Sequence, residues 1–431
     1  METSPRFYKI LLFVLIALCC VSTLAVAQDS KPAQQPTTYN IATEKYLLGD
    51  WGGARTRLEE QKGVKFDFFY VGDLLANPKG GVEKESGWNR FRGTMDIDFN
   101  KLIGAKGLTF HVTGLWQGGT NLGGNYLGSI ANPSGLVSAH TTRLDSFWLQ
   151  QSLFGDKLTI RAGQFAGMDF YGVQNYGGNY LMEPLDYAFG NLFTNYESFD
   201  PASGPAAEIK IAPIKQFYFR FAGMSGNHNP YGDDTNGFGF TAKNNAVLLD
   251  EVGFLVDQPG GKNPKAKYYP GLYKMGSSFN GGPFLNPLTG LYEKKNYLVY
   301  FMGNQAIFRP EAGSNKGLDV HLGLDFAPSA VNEINRQVTG GFIYNGLIPK
   351  RGKDAVAFGF VVSKVSDNFS NASTLLGGPV FGSEKAFEIN YLTQITPWLM
   401  WQPVVQIYSD LGANTHNGTG VVAGFRTKVT F

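Results

Sequence analysis

The last twelve residues, Gly420-Val421-Val422-Ala423-Gly424-Phe425-Arg426-Thr427-Lys428-Val429-Thr430-Phe431, decide the fold. From Val421 every second residue is apolar or small: Val421, Ala423, Phe425, Thr427, Val429 and Phe431. Arg426, Lys428 and Thr430 fall between them and belong in water. A period of two sends the two sets to opposite faces of a β-strand. A soluble chain gains little by ending on an exposed Phe. A barrel in a membrane gains closure, because its final strand pairs with the first and no edge stays open.

The same alternation recurs upstream. Val64, Phe66, Phe68 and Tyr70 alternate with Lys65 and Asp67, and Phe91, Met95, Ile97 and Phe99 with Arg90, Arg92, Asp96 and Asp98. Leu318, Val320, Leu322, Leu324 and Phe326 alternate with Asp319, His321 and Asp325. Sixteen strands are expected, at 64–74, 90–100, 107–117, 143–153, 157–165, 206–212, 217–225, 246–256, 266–278, 295–308, 317–327, 337–346, 354–365, 384–395, 398–409 and 420–431. Two of them, 143–153 and 295–308, carry apolar residues on both faces. A β-sandwich would also alternate, but its connections have no reason to. Here long connections (118–142, 166–205, 226–245) take turns with short ones (154–156, 213–216, 396–397). Outer-membrane barrels have this asymmetry, with short periplasmic turns and long outer loops. The expected fold is therefore all-β: a transmembrane antiparallel barrel of about 16 strands with long extracellular loops. Sixteen strands leave a water-filled lumen, whereas about eight are plugged by their own side chains.

Composition agrees. Aromatics make up 14% and charged residues only 17%, with 55 Gly, which suits aromatic girdles and glycine-rich loops. No apolar run after the N-terminus reaches the roughly 18–20 residues of a spanning helix. Residues 1–27 have the form of a secretory signal: Arg6 and Lys9, an apolar core from Ile10 to Val21, and Ala25-Val26-Ala27 before Gln28. Both cysteines, Cys19 and Cys20, lie in that core, so the exported chain has no disulfide and no Cys metal site. A formal charge of +2 gives no footing for a nucleic-acid partner. Residues 28–63 form a polar lead and a short helix, which Asp50 can cap and Gly63 can end. The barrel domain then occupies 64–431.

Several motifs carry a resemblance. Gly49-Asp50-Trp51-Gly52-Gly53 with Arg55 and Leu58 resembles the N-terminal signature of the carbohydrate-selective porins (OprB type) of Gram-negative outer membranes. Pro270-Gly271-Leu272-Tyr273-Lys274-Met275-Gly276, Asn345-Gly346-Leu347-Ile348-Pro349, Glu388 through Tyr391, Thr396-Pro397-Trp398, Gln402-Pro403 and Gly424-Phe425-Arg426 are similar to later motifs of these proteins, in order. The resemblance implies passive facilitated diffusion of glucose-like mono- or small oligosaccharides through a water-filled outer-membrane pore. It implies outer-membrane lipid as surroundings, and a barrel-assembly machinery that reads Phe431. Homotrimer and monomer both stay open, and no cofactor is expected.

The connection 166–205 is the longest, and loops of that length in a compact fold are functional or disordered. In porins a loop at this place commonly folds into the barrel, so the resemblance implies an eyelet here. It carries Asp169, Tyr171, Tyr176, Tyr180, Glu183, Asp186, Tyr187, Phe189, Tyr196 and Glu197. Lumen-facing parity adds Arg90, Arg92, Asp96 and Asp98, then Arg161 and Arg220. Arg supplies a rigid fork of donors and carboxylates accept, which suits sugar hydroxyls. Both charge signs on one wall also suit a neutral solute, since a one-signed ring would select ions. The expected eyelet set is Arg90, Arg92, Asp96, Asp98, Arg161, Asp169, Glu183 and Arg220. Mutual pairing that braces the wall is the alternative reading of the same residues.

Competing functions are a general porin without sugar preference, a secreted soluble β protein and an outer-membrane hydrolase. The chain has no G-x-S-x-G, H-E-x-x-H or P-loop, and its five His (111, 140, 228, 321, 416) lack metal-ligand spacing.

Overall fold

A computed structural model of the chain describes residues 39–186, 195, 198–258 and 267–431. The expected leader, 1–27, and the lead up to residue 38 lie outside them, as do Tyr187, Phe189, Tyr196 and Glu197.

The described residues form β1 (Val64–Lys79), β2 (Glu85–Asp98), β3 (Leu108–Gly119), β4 (Thr141–Leu153), β5 (Leu158–Phe165), β6 (Gly204–Ile214), β7 (Phe217–Ser225) and β8 (Ala246–Val256). There follow β9 (Gly271–Asn280), β10 (Phe284–Leu285), β11 (Tyr292–Glu293), β12 (Asn296–Phe308), β13 (Gly317–Phe326) and β14 (Ile334–Asn345). Last come β15 (Ala355–Val365), β16 (Ser383–Thr396), β17 (Leu399–Ser409) and β18 (Thr419–Thr430). β10 and β11 pair with each other in an outer connection; the other sixteen close into one antiparallel barrel. β18 pairs with β1, placing Phe425 opposite Leu74 and Val429 opposite Tyr70, and the Phe431 N–H donates to Phe68 O at 2.8 Å. The last stretch thus closes the sheet, with β18 paired to β1 from Thr430 to Ala423 and again, past an irregularity, at Val421.

Burial is inverted relative to a soluble protein. On β13, Asp319, His321 and Asp325 are buried, whereas Leu322 and Phe326 are 49% and 44% exposed. On β7, Phe217, Phe219 and Phe221 are exposed while Tyr218 and Ala222 are buried. A soluble sandwich would do the reverse, burying the Phe set. The apolar stripe faces outward, where only lipid makes it favourable.

Two expectations shift. The first outer connection, expected over 75–89, shrinks to 80–84 because β1 and β2 pair on up to Ala76 and Glu85. β9 starts at Gly271 rather than at 266. The short helix forms over Trp51–Lys62 and ends at Gly63, whose φ of 70° suits a residue without Cβ. Asp50 caps it from further away than expected, its carboxylate accepting from Thr56 N at 2.9 Å.

The two strands that read as apolar on both faces have a tertiary reason. Inward-facing Leu298, Tyr300 and Met302 of β12 pack on Met168, and inward-facing Trp148 of β4 meets Phe170, so part of the lumen wall is covered by chain rather than water.

Candidate functional site

The described residues of the third outer connection, 166–186, 195 and 198–203, lie inside the barrel. Its Tyr171, Tyr180, Leu181, Met182 and Leu185 are fully buried, and its main chain is held by side chains pointing inward from many strands. Arg220 of β7 donates to Phe170 O at 2.6 Å, Glu251 of β8 accepts Gly172 N at 3.1 Å, and Lys274 of β9 donates to Val173 O at 2.8 Å. Further round, Glu388 of β16 accepts Leu181 N and Met182 N at 2.9 and 2.8 Å, and Gln402 of β17 donates to Asn179 O at 2.8 Å. The Arg, Lys and Glu bonds among these are charge-assisted and about twice as strong as neutral ones, and in a lumen they fix the loop in depth as well as in angle. Tyr180 fits because Gly341 and Gly359 face each other across β14 and β15. A Cβ on Gly359 would come within 2.8 Å of the Tyr180 ring.

The connection 120–140 also turns inward, which its sequence did not reveal. Glu384 of β16 accepts Ile130 N and Ala131 N at 2.9 and 2.8 Å, and Gly135 N donates to Leu181 O at 2.7 Å. Together the two loops leave open a cavity of about 510 Å³ against β1, β2, β16, β17 and β18.

Charges of both signs line it. Arg90 donates to one oxygen of Asp200 at 2.9 Å and Arg92 to the other at 2.6 Å, with Asp145 of β4 3.6 Å from Arg92. Arg426 grips Asp73 through two parallel bonds of 2.7 and 2.9 Å and turns its third nitrogen to Asp186 at 2.9 Å. Glu183 completes the lining. Among the loop carboxylates, burial and then the neighbouring Asp186 push Glu183 up to about 7. Burial pushes Asp186 up to about 6 against the pull of Arg426. Burial would raise Asp200 too, but Arg90 and Arg92 outweigh it and hold that carboxyl low.

Of the expected eyelet residues, Arg90, Arg92 and Glu183 line this cavity. The others lie elsewhere. Arg161 and Arg220 form a separate brace: Arg161 pairs with Glu208 at 3.1 Å and lies 3.7 Å above the Phe170 ring, while Arg220 holds Phe170 O and sits 3.8 Å from Glu251. Parity put them on the inner face correctly, but the inserted loop covers that sector. Asp169 lies in the turn Gly167–Asp169 beside the same brace. Asp96 is nearer the rim with the short turns and bonds His111 at 2.6 Å. Asp98 caps the helical turn Phe99–Ile103 through Asn100 N. The cavity-lining charges that the expected set did not include are Asp186, which was named only as a residue of the long loop, Asp200, Arg426 and Lys428. Arg426 and Lys428 were legible as the wet face of the last strand; Asp200 had no signal beyond its place in the long loop.

A closed sixteen-stranded barrel with an apolar exterior, whose lumen is narrowed by its own infolded loop, is an outer-membrane porin. The chain belongs to the carbohydrate-selective porin family of the OprB type, whose sequence profile matches residues 86–431. It is 25% identical to Porin B of Pseudomonas aeruginosa over 432 residues, 90% of this chain and 91% of that protein. It is 22% identical to the putative porin QuiX of Acinetobacter baylyi, over 90% and 93% of the two chains. The high-pH structure of Pseudomonas putida OprB superposes with a TM-score of 0.84 at 20% identity, covering 91% of this chain and 100% of that one. The low-pH structure of the same protein gives 0.59 at 17% identity. This chain is accordingly an outer-membrane sugar porin, a channel by family rather than an enzyme.

Proposed function

We propose that Arg90, Arg92, Glu183, Asp186, Asp200 and Arg426 form the constriction at which the sugar is recognised. The supporting observation is that the three arginines are already paired across the gap between loop and wall, Arg90 and Arg92 on Asp200 and Arg426 on Asp186, with Glu183 lining the same cavity. Pairing cancels most of the field a bare arginine ring would project, so an ion gains little there. It leaves a fixed rim of donors and acceptors that a neutral polyol can bridge. The favoured solute is a mono- or small oligosaccharide, moved by its gradient alone. The outward Phe and Leu stripes contact lipid, and Phe431 on the closing strand is the residue an assembly machinery would read.

Liposome swelling with glucose and an amino acid of similar size tests selectivity: equal rates mean a general porin. In single-channel recordings Arg92→Ala should weaken glucose block by roughly ten- to a hundredfold, the worth of one hydrogen bond to a charged group. Arg161→Ala, outside the cavity, should weaken it far less. Equal effects of the two would discard this constriction.

A further inference from the structure

The cavity does not end at the charged pairs. On β18 its lining continues from Arg426 through Lys428 to Thr430. Four residues of antiparallel strand cover about 13 Å, or roughly 10 Å of depth once the usual barrel tilt of ~40° is allowed for. That is longer than one sugar ring, and about 510 Å³ lies within the ~300–1,000 Å³ of sites that enclose a whole small ligand.

The lower half has a different chemistry. Trp398, from the short turn between β16 and β17, is anchored by its Nε1, which donates to Ile41 O at 2.6 Å, so its ring has a fixed orientation at the cavity wall. Phe69 of β1 and Leu392 of β16 extend the apolar surface. Lys428 holds its ammonium 4.8 Å from the centre of the Phe69 ring, and no carboxylate among the described residues forms an ion pair with it. A flat apolar wall rimmed by an ammonium that holds no carboxylate matches a pyranose, which has an apolar C–H face and hydroxyls around its edge.

We propose that this lower half is a second sugar subsite, holding one pyranose ring on the Trp398 wall while the next ring sits at the charged constriction, so that the pore favours a disaccharide over a monosaccharide. The proposal rests on the constriction reading above and adds a specificity to it. Trp398 and Lys428 set the preference for length, and Arg90 and Arg92 act on either sugar.

The test is single-channel recording of the full-length protein in planar bilayers, with glucose and maltose as probes and block as readout. The wild type should hold maltose about tenfold more tightly than glucose. Trp398→Ala should bring maltose down to the level of glucose, roughly a tenfold loss, a larger loss than the same variant shows for glucose. Trp398→Phe, which keeps an aromatic wall, should retain most of the difference; Lys428→Met should lose part of it. Equal wild-type block by the two sugars, or a Trp398→Ala variant that loses both alike, overturns the second subsite. An Arg92→Ala variant with both sugars still blocking as in wild type overturns the constriction reading instead.

Discussion

The Arg55 guanidinium donates to the terminal main-chain oxygen of Phe431 at 2.6 Å and to Phe66 O at 2.6 Å, tying the N-terminal helix to the last residue and to the first strand at once. Tyr46 lies 3.3 Å from the guanidinium centre, so the side chain is 97% shielded and held in place. The Gly49–Arg55 motif is therefore a clamp on the seam where β1 and β18 close. One hydrogen bond to a charged group is worth about 1.5–3 kcal/mol, and Arg55 makes two. Arg55→Ala should cost roughly 2–4 kcal/mol in urea unfolding from lipid vesicles. Arg55→Lys, with a single donor point in place of a fork, should recover only part. Conductance of the folded fraction should stay at wild type, since Arg55 lies away from the cavity.

Glu388 tests how the inner loop is held. Its carboxylate accepts Leu181 N and Met182 N and is itself steadied by Asn390 and Gln406 at 2.7 and 2.9 Å. Glu388→Gln keeps the shape but sets an amide donor against a main-chain donor. Losing one charge-assisted bond, about 1.5–3 kcal/mol, should raise loop opening by roughly ten- to a hundredfold. Noisier, larger single-channel currents and weaker sugar block are expected; a quiet wild-type trace would mean the loop is held elsewhere.

Gly359 tests the same loop from the wall side. A side chain there must displace Leu185, whose Cδ1 lies 2.6 Å from a built Cβ, and Tyr180. Gly359→Val should cost about 1–3 kcal/mol through overpacking and push the loop toward the cavity. Reduced conductance is the expected reading.

Acid should change ion preference. Glu183, raised to about 7, and Asp186, raised to about 6, both hold protons at pH 5 and lose them by pH 8. The constriction therefore gains negative charge as pH rises, and the reversal potential across a KCl gradient should move toward cation preference between those values. Glu183→Gln should remove the upper part of that shift. Because both folded-state values lie above the ordinary 4.5 and 3.8, the folded pore binds these protons more tightly than the unfolded chain. Their stabilisation is complete in acid and fades as pH climbs through 6 to 7.

Much of the fold was legible because strand parity is a local property. Val421, Ala423 and Phe425 announce one face, Arg426 and Lys428 the other, and no distant residue is needed to read them. The ambiguous strands were ambiguous for a physical reason: Tyr300 and Trp148 face inward but dry, against Met168 and Phe170 of a loop folded over them.

By itself, then, the sequence determined which side chains face lipid and which face the lumen, since a period of two follows from backbone geometry alone. Which lumen residues meet was left to the tertiary structure. Arg90 finds Asp200 across 110 residues and Arg426 finds Asp73 across 353, and Arg161 and Arg220 meet Phe170 of a loop whose depth nothing local encodes. Parity gives a side chain its face; only closure of the barrel and the seating of residues 170–186 and Asp200 against its wall give it a neighbour.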